Sequence, residues 1–209
     1  MKKLILFLLV ALLSVSAFTQ NIIQLPAPEK EGGKPLMEAL NDRSSSRNFT
    51  GRELSQQTLS DLLWAAFGIN REESGKRTAP TSHNVQDIDI YLSTKEGAFL
   101  YLPKKHALQQ VVQEDVRAFM GKQDFTATAA LNLVYVSDFS KYERGNETTK
   151  KRTASAHCGF IGQNVYLFCA SQGLSTVFRA WIDPDVIHKK LGLQPHQHVI
   201  YSQTVGYPE

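Results

Sequence analysis

Cysteine is scarce in this chain of 209 residues: there are two, Cys158 and Cys169. So few exclude the disulfide framework that staples small secreted domains. Both fall in one predicted helix, eleven positions apart. At a rise of about 1.5 Å per residue they sit roughly 16 Å from one another, whereas a disulfide needs Cα atoms within about 7 Å. They are expected as small, unpaired core residues. No Cys-x-x-Cys or His-x-x-x-His spacing occurs and the six histidines are scattered, so no zinc site is expected. Charge of one sign is also lacking, with 23 basic against 20 acidic residues. A surface so close to neutral gives no basis for binding nucleic acid or an anionic membrane. Low-complexity stretches and internal repeats are absent. A composition of 42% hydrophobic, 10% aromatic and 21% charged residues is that of a globular protein.

Long apolar runs are lacking too, with one exception. Leu4 to Leu13 is unbroken, follows Lys2 and Lys3, and precedes the small residues Ser14, Ser16 and Ala17. A run of ten falls short of the roughly 20 residues that span a membrane. Its three-part layout is that of a secretory signal peptide. Residues 1–20 are therefore expected as a leader, cut most favourably after Ala17, and the protein as exported to a periplasm. Loss of Lys2 and Lys3 leaves 21 basic residues against 20 acidic. Residues 21–34 hold Pro26, Pro28, Gly32 and Gly33 and read as a flexible lead-in. Residues 35–209 form one domain.

Within that domain, Leu36, Met37 and Leu40 suggest a short helix opened by Pro35. Ser55 to Phe67 is a stronger one, with Ser55 as N-cap and Gly68 as its stop. Residues 70–87 read as a long loop. Ile88 to Leu92 and Ala98 to Leu102 suggest a hairpin around Gly97. His106 to Met120 reads as one or two short helices, and Leu131 to Val136 as a strand. Thr153 to Ser171 is the longest helix, apolar over most of its circumference and closed by Gly173. Strands at Thr176 to Ile182 and Val199 to Val205 flank a helix opened by Asp183-Pro184 and closed by Gly192. The pattern is α+β: helices packed around a mainly antiparallel sheet.

The chemistry starts at Arg43-Ser44-Ser45-Ser46-Arg47. A phosphate monoester needs positive charge and many hydrogen-bond donors at short range. Two arginines around three serines supply both, although a solvated polar turn would look the same in isolation. The surrounding chain narrows the choice. Arg43, Ser45, Arg47 and Phe49 stand ahead of the Ser55 helix. Ala79-Pro80-Thr81-Ser82-His83-Asn84-Val85-Gln86 precedes a strand. Gly162-Gln163-Asn164-Val165-Tyr166-Leu167, Gly173-Leu174-Ser175-Thr176-Val177 and Val205-Gly206-Tyr207-Pro208 follow in order.

These five stretches, spanning about residues 36–208, resemble the nitroreductase family of FMN-dependent flavoproteins. The resemblance implies a homodimer with FMN at the subunit interface, a four- or five-stranded antiparallel sheet between helices, and hydride transfer through flavin N5. It implies that Arg43, Ser44, Ser45 and Arg47 hold the phosphate and ribityl chain. Thr81, Ser82 and Asn84 would reach the flavin from the second subunit, and the backbone around Arg179, Ala180 and Trp181 would line the ring edge. Basic residues that many members carry beyond the Val-Gly-Tyr-Pro stretch have no counterpart before Glu209. Arg179, or a residue of the 70s loop such as Arg77, is the expected substitute. Trp181 stands where members often have Gly, as either a cap on the flavin or a core residue.

Lys141-Tyr142 is similar to the Lys-Tyr pair of thiazoline- and oxazoline-oxidising dehydrogenases of the same superfamily. On that resemblance the two are candidate catalytic residues, exchanging a proton while hydride leaves for the flavin. The expected function is therefore an FMN-dependent oxidoreductase acting on a planar small molecule such as a nitroaromatic or quinone. The alternative is an exported flavin- or aromatic-ligand-binding protein without turnover. No metal and no nucleic acid are expected.

Overall fold

The structure, a computed structural model, describes residues 21–209. The leader assigned to residues 1–20 lies outside the described residues. The core is a seven-stranded sheet in the order β1-β6-β5-β4-β7-β9-β8, antiparallel throughout. Its strands are β1 (Ile22–Gln24), β4 (Ile88–Thr94), β5 (Gly97–Leu102), β6 (Ala107–Val112), β7 (Leu131–Asp138), β8 (Ser175–Arg179) and β9 (Gln197–Gly206). A short ribbon, β2 (Ile69–Arg71) with β3 (Lys76–Arg77), stands apart. Helices α1 (Leu36–Asp42), α2 (Gln56–Phe67), α3 (Glu147–Gln172) and α4 (Pro184–Leu191) complete the α+β architecture.

Strand periodicity decides which residue meets which layer. Ile88, Ile90 and Leu92 of β4, with Leu131, Leu133 and Tyr135 of β7, pack against α2 and α3 in the main core. The intervening Tyr91, Val134 and Val136 pack on the other face beneath α4. β7 is central, and seven of its eight residues are buried, the polar Asn132 and Ser137 among them. Leu62 and Leu63 of α2 are wholly buried, and each such side chain contributes about 1.5–3 kcal/mol.

Helix ends follow the local chemistry expected of them. The Ser55 hydroxyl accepts from the Thr58 amide at 3.0 Å, and Asp183 accepts from the Val186 amide at 3.3 Å. Gly173 and Gly192 close α3 and α4 in the left-handed region, at φ 67° and 64°. Gly68 ends α2 for a different reason. Its φ is −70°, and a Cβ there would collide with Trp64.

Four expectations are corrected. His106 to Met120 is β6 followed by a single 3-10 turn at Arg117–Phe119 rather than helices. Ala107-Leu108-Gln109-Gln110-Val111-Val112 suits either state, and pairing with β5 from Leu102↔Ala107 to Ala98↔Val112 settles it. The sheet has seven strands rather than four or five, because β1 and β6 extend its edge. α3 begins at Glu147 rather than Thr153. Asn146 caps it by accepting from the Thr149 amide at 2.9 Å, and this first stretch is helical without an apolar stripe.

The fourth correction concerns residues 21–34, which form a strap rather than a flexible lead-in. β1 pairs with β6. The Glu29 amide donates to Asp61 at 2.8 Å and the Lys34 amide to the Ser171 hydroxyl at 2.8 Å. Proline and glycine here shape a path across α2 and α3. Both cysteines are free and buried in α3, and burial pushes both thiols up and leaves them unreactive.

Candidate active site

Two segments picked out in the sequence are carried by α3. The first is Arg43 to Arg47, which leaves the C-terminal end of α1. The Ser46 amide donates to the Thr176 carbonyl of β8 at 3.0 Å. Ser45 shares a 2.8 Å hydrogen bond with the Tyr166 hydroxyl of α3. That hydroxyl also accepts from the Phe178 amide at 2.9 Å. Arg43 lies over the Tyr166 ring, 5.2 Å from its centroid. The segment is thus fixed to a helix and a strand at once, with Ser44, Ser45 and Arg47 exposed.

An anion fits this cradle on the chemistry of its donors. Among the described residues, neither Arg43 nor Arg47 makes an ion pair with a carboxylate. The adjoining Asp42 is held by Lys34 at 2.6 Å, a contact that lowers the carboxyl's pKa. The C-terminal end of α1 itself disfavours an anion, so the guanidiniums and hydroxyls supply the attraction.

The second segment is the Thr81–Gln86 loop. His83, Asn84 and Gln86 have φ of 52°, 54° and 47°. Three side-chain-bearing residues in the left-handed region cost on the order of 1–3 kcal/mol each, so other bonds must hold the loop in place. Thr81 turns its hydroxyl inward, accepting from the Gln86 amide at 3.0 Å. Gln86 donates to the Asn84 side chain and to the Gly75 carbonyl, and accepts from Arg77 Nε at 2.7 Å. Ser82 and Asn84 face outward and are exposed.

Beneath the loop lies a network with no motif in the sequence to mark it. The Ser82 amide donates to His157 Nε2 at 2.8 Å. His157 Nδ1 contacts Asp87 Oδ1 at 2.6 Å. Asp87 Oδ2 accepts from Ser137 at 2.5 Å and from Tyr142 at 2.8 Å. Asp87 is fully buried and His157 is 2% exposed. Burial raises the Asp87 carboxyl, but the bonds from His157, Ser137 and Tyr142 outweigh it and hold the group below its ordinary value. Because His157 Nε2 accepts a hydrogen bond from a backbone amide, the ring's hydrogen lies on Nδ1, toward Asp87. One signal of this was legible. His157 falls on the same α3 stripe as the buried Ala154, Cys158, Ile161 and Val165, and a histidine there requires a polar partner.

Lys141 and Tyr142 come to the same place. Lys141 pairs with Asp89 at 3.1 Å and donates to the Gln86 carbonyl at 3.3 Å. Ser82, His83 and Asn84 face Lys141, Tyr142 and Arg144 across a cavity of about 590 Å³. Burial, and then the bond to Asp87, push the Tyr142 hydroxyl's pKa up. Its proton is therefore engaged with Asp87.

The proposed substitutes for extra phosphate ligands lie elsewhere. Phe178 faces α3, stacking on Tyr135 with centroids 5.6 Å apart. Strand alternation therefore sends the neighbouring Arg179 to the opposite face. There it is 4% exposed and donates to Gln123, Asn132 and Ser202. Burial pulls its pKa down to about 10. Arg77 is engaged with Gln86 and the Phe67 carbonyl. Neither guanidinium joins the Arg43–Arg47 cradle. Ala180 and Trp181 run on past the end of β8. Trp181 is 64% exposed, so it is not a core residue.

No group of three or more histidine, cysteine, aspartate or glutamate side chains suited to a metal occurs among the described residues. No helix among them is long and apolar enough to cross a membrane.

Comparison with known proteins agrees with this fold. Residues 40–207 match the model of the Nitroreductase family. A protein named as a nitroreductase in Methanocaldococcus jannaschii is 30% identical over 165 residues, covering 74% of this chain and 81% of its own length. A solved structure named as a nitroreductase from Ralstonia eutropha superposes with a TM-score of 0.86 at 36% identity, over 90% of each chain. The NADPH:FMN oxidoreductase of Vibrio harveyi, solved with NAD+, shares the fold with a TM-score of 0.63 at 19% identity. That match covers 83% of this chain and 69% of the other. A match over residues 40–207, almost the whole described chain, places this protein in the Nitroreductase family.

Proposed function

We propose that this protein is an FMN-dependent oxidoreductase that moves hydride between a donor and a planar acceptor such as a nitroaromatic or a quinone. The observation that carries the reading is the Arg43–Arg47 cradle. Two guanidiniums without carboxylate partners among the described residues, with Ser44 and Ser45 beside them, lie on a segment fixed to α3 and β8. Bound FMN supplies the hydride step at its N5 atom, and the protein binds and orients it. Arg43, Ser44, Ser45 and Arg47 hold its phosphate and ribityl chain. The backbone that runs from β8 into Ala180 lines the ring edge. The exposed indole of Trp181 offers an apolar plate for a planar partner.

The working unit is a homodimer with the flavin at the interface, so that Thr81, Ser82 and Asn84 come from the second subunit. Leu36, Met37 and Leu40, exposed by 63%, 74% and 43% on α1 immediately before the cradle, support this arrangement. The Leu4–Leu13 run supports export to a periplasm, where nicotinamide nucleotides are not an available donor. The physiological reductant is then of another class, or the flavin is reoxidised by a quinone or oxygen. N-terminal sequencing of the mature protein tests the export step, and an intact Met1 on cytoplasmic material rules it out.

The purified protein is expected to be yellow, to bleach under dithionite and to recover with a quinone. A yellow protein that no donor and acceptor can cycle would instead be a binding protein. Replacing Arg43 and Arg47 together by Ala should weaken FMN binding by roughly 100-fold or more, since charge-assisted contacts of about 1.5–3 kcal/mol each are lost. Equilibrium dialysis measures this, and unchanged affinity would put the phosphate elsewhere.

A further inference from the structure

The cavity between the Thr81–Gln86 loop and the Lys141–Arg144 turn has two walls that meet at one buried carboxylate. On one wall, Ser82 is reached through His157, which accepts from its amide at 2.8 Å and contacts Asp87 at 2.6 Å. On the other, Tyr142 binds the second oxygen of Asp87 at 2.8 Å. Ser137, from the centre of the sheet, binds that same oxygen. The first wall is the one that needs support, because His83, Asn84 and Gln86 all sit in the left-handed region. Thr81 and Gln86 brace its two ends, and His157 is the side chain from α3 that accepts from Ser82.

We propose that Asp87 and His157 act as a positioning pair that presets the Thr81–Gln86 wall of the cavity before any ligand arrives. The two ring nitrogens have separate jobs. Nδ1–H is aligned by Asp87, which fixes the tautomer, and this leaves the Nε2 lone pair free to take the Ser82 amide. Neither group touches the ligand. Both act through the backbone of Ser82, so the exposed Ser82 hydroxyl and Asn84 amide face the cavity from a fixed frame. A wall held in this way loses less freedom on binding, which raises affinity without adding a contact. The link to the flavin rests on the function proposed above. The setting of the loop does not.

Two substitutions separate the roles of the two nitrogens. Asn at position 157 can reproduce the Nδ1 bond to Asp87 but cannot reach Ser82. Gln can place an oxygen near the Nε2 position. Hydrogen exchange at the Ser82 amide, followed by NMR on flavin-free protein, is the direct readout. His157→Asn should exchange there roughly tenfold faster than wild type, the factor one lost hydrogen bond of ordinary strength carries, with the α3 amides unchanged. His157→Gln should restore protection to near the wild-type level. Equal protection in both variants, or equal loss in both together with faster exchange along α3, overturns the proposal by showing plain packing. FMN affinity is measured alongside. If wild-type protein takes up no FMN while the Asn–Gln split persists, the flavin reading fails and the positioning pair stands. If FMN binds tightly and no split is seen, the pair fails and the flavin reading stands.

Discussion

Tyr166 shows how one side chain can decide a site. Its hydroxyl joins Ser45 of the cradle to the Phe178 amide of β8, while its ring lies under Arg43. Replacing it by Phe keeps the ring and removes both hydrogen bonds. The Phe178 amide then has no acceptor, at a cost of about 1–3 kcal/mol. Urea denaturation should show a lower midpoint with an unchanged slope, and FMN affinity should fall alongside. A variant as stable as wild type would mean that solvent replaces the hydroxyl at no cost. The sequence placed Tyr166 in the Gly162–Leu167 motif but offered no sign that its hydroxyl reaches 121 positions back along the chain. Arg43, Ser45 and Arg47 stood out in the sequence because guanidiniums and hydroxyls so close together suit an anion. Asp87 did not. It stands one residue before β4, whose alternation would suggest the opposite face, and its meaning depends on His157, Ser137 and Tyr142 arriving from other elements.

At the scale of elements, the strap of residues 21–34 is linked to the turn between β5 and β6. His106 sits at that turn with φ 45°. Its Nε2 contacts Ser60 at 2.6 Å and its Nδ1 contacts Tyr101 at 2.9 Å. The Ser60 hydroxyl donates to the Pro26 carbonyl at 2.7 Å, and the Leu25 amide to the His106 carbonyl at 3.2 Å. Burial holds the imidazole below its ordinary value of 6.5. The unfolded chain therefore takes up a proton at a higher pH than the folded chain does. Stability conferred by the neutral ring is present above pH 6.5 and is lost as pH falls through the folded value. Hydrogen exchange at residues 22–26 should quicken between pH 7.5 and 5.5 beyond the intrinsic pH effect. His106→Asn, which tolerates the left-handed turn, should flatten that extra dependence. A dependence that survives the substitution would assign it to another group. None of this strap was legible in its prolines and glycines, which mark a path as readily as a flexible linker.

Over the whole molecule, the exposed apolar face of α1 is the feature the single chain leaves unexplained. Leu36, Met37 and Leu40 surround the one buried residue of that helix, Ala39. A dimer that covers this face also fixes the cradle, because α1 runs directly into Arg43. Light scattering should give twice the chain mass for the wild type. Met37→Asp with Leu40→Asp should give the monomer mass and lose most FMN retention. A double variant that remains dimeric would put the interface on another face, and a monomeric one that keeps FMN would detach the flavin from the interface.

The α+β class and the caps at Ser55, Asp183, Gly173 and Gly192 were determined by sequence alone. Each depends on interactions within a few residues, where side-chain type and backbone preference are nearly sufficient. The β6 strand, the strap, the burial of Arg179 on the far face and the Asp87–His157 pair were decided by tertiary structure. In each case a deciding partner is distant in the chain: β1 for β6, Asp61 and Ser171 for the strap, Asn132 and Ser202 for Arg179, and α3 for Asp87. Pairing across the sheet, and the requirement that buried polar groups find partners, operate only once those segments have been brought together.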